Sequence, residues 1–203
     1  EGKKADSIYV TGNTAIDALK TTVREDYTHP ELEWAKDSRL IMITAHRREN
    51  LGEPMKNMFR AIRRCLDEHP DVKAIYPIHM NPLVRQVAKE ELDGCDRVKL
   101  IEPLEVFDFH NFQNTSYIIL SDSGGIHEEA AVRATGNEHQ LYTVVLQDIV
   151  SAFGRGQPPQ EVHFLVADLD DVRLLKAPED LLLRFLQIIP QRLAQIRVKG
   201  DDL

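Results

Sequence analysis

The segment with the clearest chemistry joins an apolar run to a helix-forming stretch through two consecutive glycines. Residues 117–120 are typical of a strand, and residues 126–132 favour a helix. Ser123, Gly124 and Gly125 lie between them, and glycine lets the backbone approach a phosphate because it lacks a Cβ atom. The first amides of a helix have no partner within it and lie at the positive end of its dipole. The spacing predicts an anion site; an ordinary turn, in which glycine only relieves strain, is the alternative.

Further polar side chains are placed where they could reach a ligand held at that turn. Glu129 lies about one turn into the helix, where its carboxylate can accept hydrogen bonds from hydroxyls beside the phosphates. His46 directly follows one apolar run, with Arg47 and Arg48 after it as alternative anion ligands, and His79 follows another run. Histidine can donate to a phosphate or move a proton, and arginine can hold a phosphate through two parallel hydrogen bonds. Together they indicate a nucleotide or nucleotide-sugar site, although His46 could be a surface-loop residue and His79 a helix cap.

These residues need a scaffold that brings distant segments to one edge, and the hydrophobic pattern predicts one. Short apolar runs alternate with helical patterns from residue 8 to about residue 146. Such alternation is typical of an α/β fold, a Rossmann-like parallel sheet with helices on both faces. The predicted strands cover residues 8–10, 39–45, 72–78, 97–101, 117–120 and 141–146. Parallel sheets bind ligands at the carboxyl ends of their strands, where the polar clusters fall.

The remaining segments complete the predicted organisation as a single domain over residues 1–203, with 131–203 divergent. Amphipathic helices are expected at 15–23, behind Pro54 and behind Asn81, and residues 31–34 are interpreted as a polar connection. The final third is predicted to contain a loop, a strand and a helix interrupted by proline, at residues 154–159, 163–167 and 178–198.

Composition limits the class of function. The chain has 203 residues, 42% hydrophobic and 29% charged, with a net charge of −8 and a pI of about 5.5. This acidity argues against a general binder of nucleic acid or anionic membranes, so any phosphate affinity must be local. Cys65 and Cys95 form neither a metal spacing nor a disulfide framework, which fits a reducing cytoplasm. The chain begins without methionine, and we expect it to be a piece of a longer protein.

Five motifs together give the chain a specific resemblance over about residues 8–130. They read VTGNTAIDAL, TAHRRENLG, YPIHMNP, LIEP and SDSGGIHEEA, in this order. The chain resembles the non-hydrolysing UDP-N-acetylglucosamine 2-epimerases of bacteria and archaea. That family has two Rossmann-like domains arranged as in GT-B glycosyltransferases, with the UDP-sugar in the cleft between them. The chain looks like the second, C-terminal domain.

The resemblance implies roles for the candidate residues. The diphosphate would be held by Ser123, Gly124 and Gly125. Glu129 would bind the ribose hydroxyls, and Phe109 would lie next to uracil. His46 matches a functionally important histidine near the phosphates. Arg47 and His79 match positions that hold a second, activating UDP-GlcNAc in bacterial members.

The resemblance also implies a reaction and its partners. A proton leaves C2 of the sugar, UDP leaves C1 by elimination, and UDP adds back after reprotonation on the opposite face. No metal or nicotinamide cofactor is needed, and family members commonly form homodimers. The proton-transferring carboxylates of the family lie in the N-terminal domain, so we do not expect this chain alone to epimerise.

The sequence departs from the family pattern after Ala130. The family's Thr-Glu-Arg-Pro loop is absent from the residues that follow, and His127 stands where glutamine is usual. Two other readings therefore remain open: the donor-binding half of a GT-B glycosyltransferase, and a non-catalytic domain that retains affinity for UDP-sugars. The combination of His-Arg-Arg-Glu-Asn with Ser-Gly-Gly favours the epimerase over the glycosyltransferase.

Overall fold

The computed structural model describes residues 3–9, 11–134, 142–145, 162–168 and 171–177. Strands within these ranges are β1 (Arg39–Thr44), β2 (Val72–Pro77), β3 (Val98–Ile101), β4 (Ile118–Ser121), β5 (Tyr142–Val145), β6 (Val162–Asp168) and β7 (Asp171–Ala177). The α-helices are α1 (Thr14–Thr22), α2 (Pro30–Ala35), α3 (Glu53–Glu68), α4 (Pro82–Leu92), α5 (Val106–Thr115) and α6 (Gly124–Ala134). Short 3-10 turns lie at Ala5–Ser7 and Arg48–Asn50.

All seven strands belong to one sheet, in the order β3-β2-β1-β4-β5-β6-β7. The first five strands of that order pair in parallel, while β6 pairs antiparallel with both β5 and β7. The chain leaves β1 towards β2 and β3, then returns to place β4 on the other side of β1. The predicted Rossmann-like α/β fold is confirmed. The direction of winding reverses between β1 and β4, and such a switch point opens a crevice at the carboxyl ends of the strands.

Helices cover both faces of the sheet. Successive side chains of a strand point to opposite faces, so each face presents apolar side chains to its own layer of helices. Ile41 and Ile43 of β1 pack in the core against α3 and α4, with Met58 and Val84 among their partners. The alternate residues, Leu40 and Met42, pack in a second core whose helical members are contributed by α2, α5 and α6. The side chains of residues 40–43 are at most 4% exposed. A strand buried on both faces explains the continuous apolar run in the sequence.

Two predictions about the first forty residues are wrong. Ile8 and Tyr9 lie outside any strand and are 61% and 81% exposed. Residues 31–34, interpreted as a polar connection, belong to helix α2. Pro30 begins that helix, the ring of His29 accepts a hydrogen bond from the Glu31 amide, and the helix buries Leu32 and Ala35. Helix α2 forms because a cap, an N-terminal proline and one apolar side together compensate for its shortness.

The predicted helix starts behind Pro54 and Asn81 are confirmed. Pro54 lies in the first turn of α3, and the Asn81 side chain accepts a hydrogen bond from the Leu83 amide at 3.0 Å to cap α4. The expected strands at 141–146 and 163–167 correspond to β5 and β6. The expected loop at 154–159 and helix at 178–198 lie outside the described residues. None of the described helices is long and apolar enough to cross a membrane.

Candidate functional site

A cleft lies at the carboxyl ends of β1, β2 and β3. Its volume is about 220 Å³, and its lining residues are Thr44, Ala45, His46, Pro77, His79, Met80, Pro103, Leu104 and Phe109. His46, His79 and Phe109 were singled out from three separate segments of the sequence, and the fold brings them to one cleft. The lining combines apolar side chains and the partly buried ring of Phe109 with the two imidazoles of His46 and His79. Such a cleft suits a flat polar ring adjoining an anionic group.

Asp122 ties the His46 loop to the end of β4, and no sequence pattern had pointed to it. One carboxylate oxygen of Asp122, Oδ2, accepts hydrogen bonds from the amides of His46 at 2.9 Å and Arg47 at 2.8 Å. The same oxygen accepts a bond from the Asn50 side chain at 3.2 Å. The Asp122 side chain is only 1% exposed. A buried carboxylate with several N–H donors fixes the loop after β1 against the turn that begins at Ser123.

The other oxygen of Asp122 faces the imidazole of His46. Oδ1 is buried without a hydrogen-bond partner and lies 3.7 Å from His46 Nδ1. The His46 ring stacks on the His79 ring, with centroids 5.2 Å apart and planes inclined by 8°. His79 Nδ1 accepts a hydrogen bond from the Asn81 amide at 3.1 Å, so the capping alternative for His79 has structural support. The His46 side chain is 42% exposed and open to a ligand.

Tyr76 stabilises the same edge of the sheet, at the point where the His46 loop leaves β1. Its hydroxyl donates a hydrogen bond to the carbonyl oxygen of Ala45, the residue that joins β1 to the His46 loop. Burial, and secondarily the negative charge of Asp122, raise the pKa of Tyr76 well above its ordinary value. The phenol therefore stays protonated and continues to donate across the physiological range.

The Ser-Gly-Gly turn opens helix α6, as the sequence predicts, and its glycines are not required by the backbone. Gly124 and Gly125 do not adopt positive φ, and a Cβ atom placed at either would meet nothing within 4 Å. The alternative in which glycine relieves strain does not hold at these positions. The Ser123 amide donates to Ser121 Oγ at 3.0 Å, whereas the amides of Gly124 and Gly125 have no partner among the described residues. Two adjacent donors at a helix start are thus open to an anion.

Glu129 lies further along α6 and contacts α5. Its side chain is 13% exposed, and its Oε2 accepts a hydrogen bond from Gln113 Nε2 at 3.0 Å. The ring of His110 lies on the same side, with Nε2 4.0 Å from that oxygen.

Arg47, in contrast, is 47% exposed, and its guanidinium lies 3.7 Å from the Glu49 carboxylate. Such an exposed pair contributes little to stability and leaves Arg47 available to a ligand.

The sheet order, the flanking helices and the polar edge define a Rossmann-like α/β domain of the GT-B kind. A family model described as UDP-N-acetylglucosamine 2-epimerase matches residues 1–137. The chain belongs to the UDP-N-acetylglucosamine 2-epimerase family, a family of isomerases.

Individual relatives agree with that assignment. The UDP-N-acetylglucosamine 2-epimerase of Bacillus subtilis is 62% identical over 130 residues, which are 64% of this chain and 34% of the relative. The structure of S. aureus MnaA with UDP is 54% identical, with a TM-score of 0.58 over 65% of this chain and 35% of that one. The Neisseria meningitidis UDP-GlcNAc 2-epimerase bound to UDP-GlcNAc is 34% identical, with a TM-score of 0.57 over 74% and 43%. The chain therefore spans about a third of the length of the B. subtilis relative.

Proposed function

We propose that residues 1–203 form the UDP-sugar-binding domain, C-terminal in the whole protein, of an epimerase that interconverts UDP-GlcNAc and UDP-ManNAc. UDP or UDP-GlcNAc is the ligand of the edge formed by the His46 loop and the Ser-Gly-Gly turn. Membership of the epimerase family supports this substrate, as does the UDP or UDP-GlcNAc present in the two related structures. The free thiols Cys65 and Cys95 fit a cytoplasmic enzyme.

The observation that carries the proposal is the pair of glycines at the start of α6. Glycine forms helices less readily than alanine, and the described residues give no steric reason to retain it here. We infer that a ligand accounts for the two glycines, because residues without side chains let a diphosphate approach the open amides of Gly124 and Gly125. Ser123 precedes these amides and would add its hydroxyl to the same group.

The geometry suits the chemistry of the leaving group. When the bond from C1 to UDP breaks, the electron pair goes to the diphosphate, whose negative charge grows. Fixed N–H donors and a nearby histidine stabilise that charge without having to reorganise. His46 is held beside the turn through Asp122 and is assigned this catalytic role. Phe109 would contact uracil, Glu129 the ribose, and Arg47 with His79 a second, activating UDP-GlcNAc.

Proton transfer at C2 is assigned to the partner domain. Our proposal places those carboxylates in the N-terminal Rossmann-like domain, which closes the cleft, and the complete enzyme forms a homodimer. We expect this chain alone to bind UDP without converting UDP-GlcNAc to UDP-ManNAc. Proton NMR of the anomeric signals during incubation with UDP-GlcNAc measures conversion, with a full-length family member as positive control. Clear conversion of UDP-GlcNAc by the chain alone would contradict the assignment of proton transfer to the N-terminal domain.

Calorimetric titration with UDP and with UDP-GlcNAc tests the binding function itself. Saturable binding of both ligands supports the proposal, and absence of binding contradicts it. A non-catalytic UDP-sugar-binding domain is the second candidate, because the Thr-Glu-Arg-Pro loop of the family is absent from the residues that follow Ala130. Supplying the N-terminal half of that relative separates the two: an epimerase domain restores turnover in the mixture, and a binding-only domain does not.

A further inference from the structure

Gln113 is a fully buried residue, and packing alone does not explain why its side chain is polar. Its residue exposure is 0%, and its Nε2 donates to Glu129 Oε2 at 3.0 Å. Its Oε1 is buried and makes no hydrogen bond. A buried amide with one half unsatisfied costs stability, and an apolar side chain of similar size would fill the same space without that cost. The bond from Gln113 to Glu129 is therefore the contact that could justify glutamine at this position.

Among the described residues, Glu129 accepts a hydrogen bond at only one of its two carboxylate oxygens. Gln113 holds its Oε2, and His110 Nε2 lies 4.0 Å from the same oxygen. The His110 ring is itself fixed from α1, because Thr22 Oγ1 lies 2.7 Å from its Nδ1. The other carboxylate oxygen, Oε1, has no hydrogen-bond partner among the described residues. A carboxylate held at one oxygen and open at the other is oriented before any ligand arrives.

We propose that Gln113 is a positioning residue that presents the Glu129 carboxylate to the vicinal hydroxyls of a ribose. This inference rests on the proposed function, in which the diphosphate lies at the amides of Gly124 and Gly125. Glu129 follows those glycines by about one helical turn, so a group attached to the diphosphate can reach its carboxylate. Gln113 itself does not touch the ligand and acts through Glu129.

A comparison of two ligands separates positioning from a purely structural role. Calorimetry measures the affinities of UDP and of 2′,3′-dideoxy-UDP, which lacks both hydroxyls. We expect the unaltered chain to prefer UDP by about tenfold or more, as for hydrogen bonds to a charged group. Gln113→Met keeps the length and removes the donor. It should lose most of that preference while its affinity for dideoxy-UDP changes by less than about twofold, the size of a weak polar effect.

Matched variants make the result decisive. Gln86 on α4 donates to Glu90 at 2.8 Å on the protein surface, so Gln86→Met removes the same kind of bond away from the site and should leave both affinities unchanged. Glu129→Gln should also lose the preference, because it removes the carboxylate itself. Gln113→Leu, a second apolar replacement of similar size, serves as the test if Gln113→Met fails to fold. Equal weakening of both ligands, or an unchanged preference, would overturn the positioning role. Absence of UDP binding by the unaltered chain would instead refute the proposed function, and the inference with it.

Discussion

Replacing Gly125 with leucine is expected to abolish measurable UDP binding while the domain remains folded. The space around a Cβ atom at this position is empty, and the backbone there does not adopt positive φ, so the fold accommodates the side chain. The same side chain would occupy the volume through which a diphosphate reaches the amides. Loss of two hydrogen bonds to a charged group corresponds to about 3–6 kcal/mol, or at least a hundredfold in affinity. Calorimetry with UDP measures the loss.

A graded series supplies the control for the Gly125 result. Gly125→Ala should raise the free energy of unfolding by up to about 1 kcal/mol, because alanine is the better helix former, and yet weaken UDP binding. Chemical denaturation measures the first quantity and calorimetry the second. Stability and affinity would then change in opposite directions. UDP affinity that is the same for glycine, alanine and leucine would refute the assignment of the diphosphate to this turn.

Removal of the Asp122 carboxylate is expected to have the second-largest effect. Asp122→Ala leaves the amides of His46 and Arg47 and the side chain of Asn50 without their shared acceptor. Each unsatisfied donor costs about 1–3 kcal/mol when water cannot replace the acceptor, and the exposed loop gains partial compensation from water. We expect the free energy of unfolding to fall by about 2–4 kcal/mol and UDP affinity to fall with it. Chemical denaturation and calorimetry provide the two measurements.

Two variants test whether that loss comes from the acceptor. Asp122→Asn retains a carbonyl oxygen for the three donors and should recover most of the stability. Asp71→Ala removes a carboxylate that is 58% exposed and pairs with Arg39 at 2.7 Å, and it should cost less than about 1 kcal/mol. If Asp122→Ala were no more damaging than Asp71→Ala, the carboxylate would not be holding the His46 loop.

The convergence of the candidate residues at one edge could be predicted from the sequence, because it follows from a rule about parallel sheets. Apolar runs ending in polar residues predict parallel strands, and the carboxyl ends of such strands share one edge. His46, His79 and Phe109 therefore come together in the cleft although they come from three segments of the chain. The glycine pair was recognised for a similar reason, since a strand, two glycines and a helix describe a local geometry.

The role of Asp122 could not be predicted in this way. Its partners are two backbone amides and one side chain, and the His46 amide lies 76 residues away in sequence. A backbone donor has the same identity at every residue, so its long-range acceptor has no sequence signature. The contact of Gln113 with Glu129 could not be predicted either, because the sequence of α5 does not show a clear helical pattern. Its mixture of aromatic and polar residues, with His110, Asn111 and Gln113 all buried, hides the helical period.

The antiparallel end of the sheet shows a different limit. The segment at 163–167 was predicted to be a strand, and β6 confirms it, but its pairing direction with β5 is antiparallel. A crossover helix between two strands predicts parallel pairing, and the sequence predicts none between residues 146 and 163, so it left the direction of this pair open. The two antiparallel strands lie at the end of the sheet away from the β1–β4 switch point, so they do not alter the cleft.

The most direct test of the account is a titration of the isotope-labelled chain with UDP, observed through its backbone amide NMR signals. The account predicts that the amides of Gly124 and Gly125 shift most and saturate with the same dissociation constant that calorimetry gives. Gly94, which lies outside the site between α4 and β3, serves as an internal reference, and its signal should stay unchanged. If UDP saturates the chain while the signals of Gly124 and Gly125 do not move, the diphosphate does not bind at the start of α6.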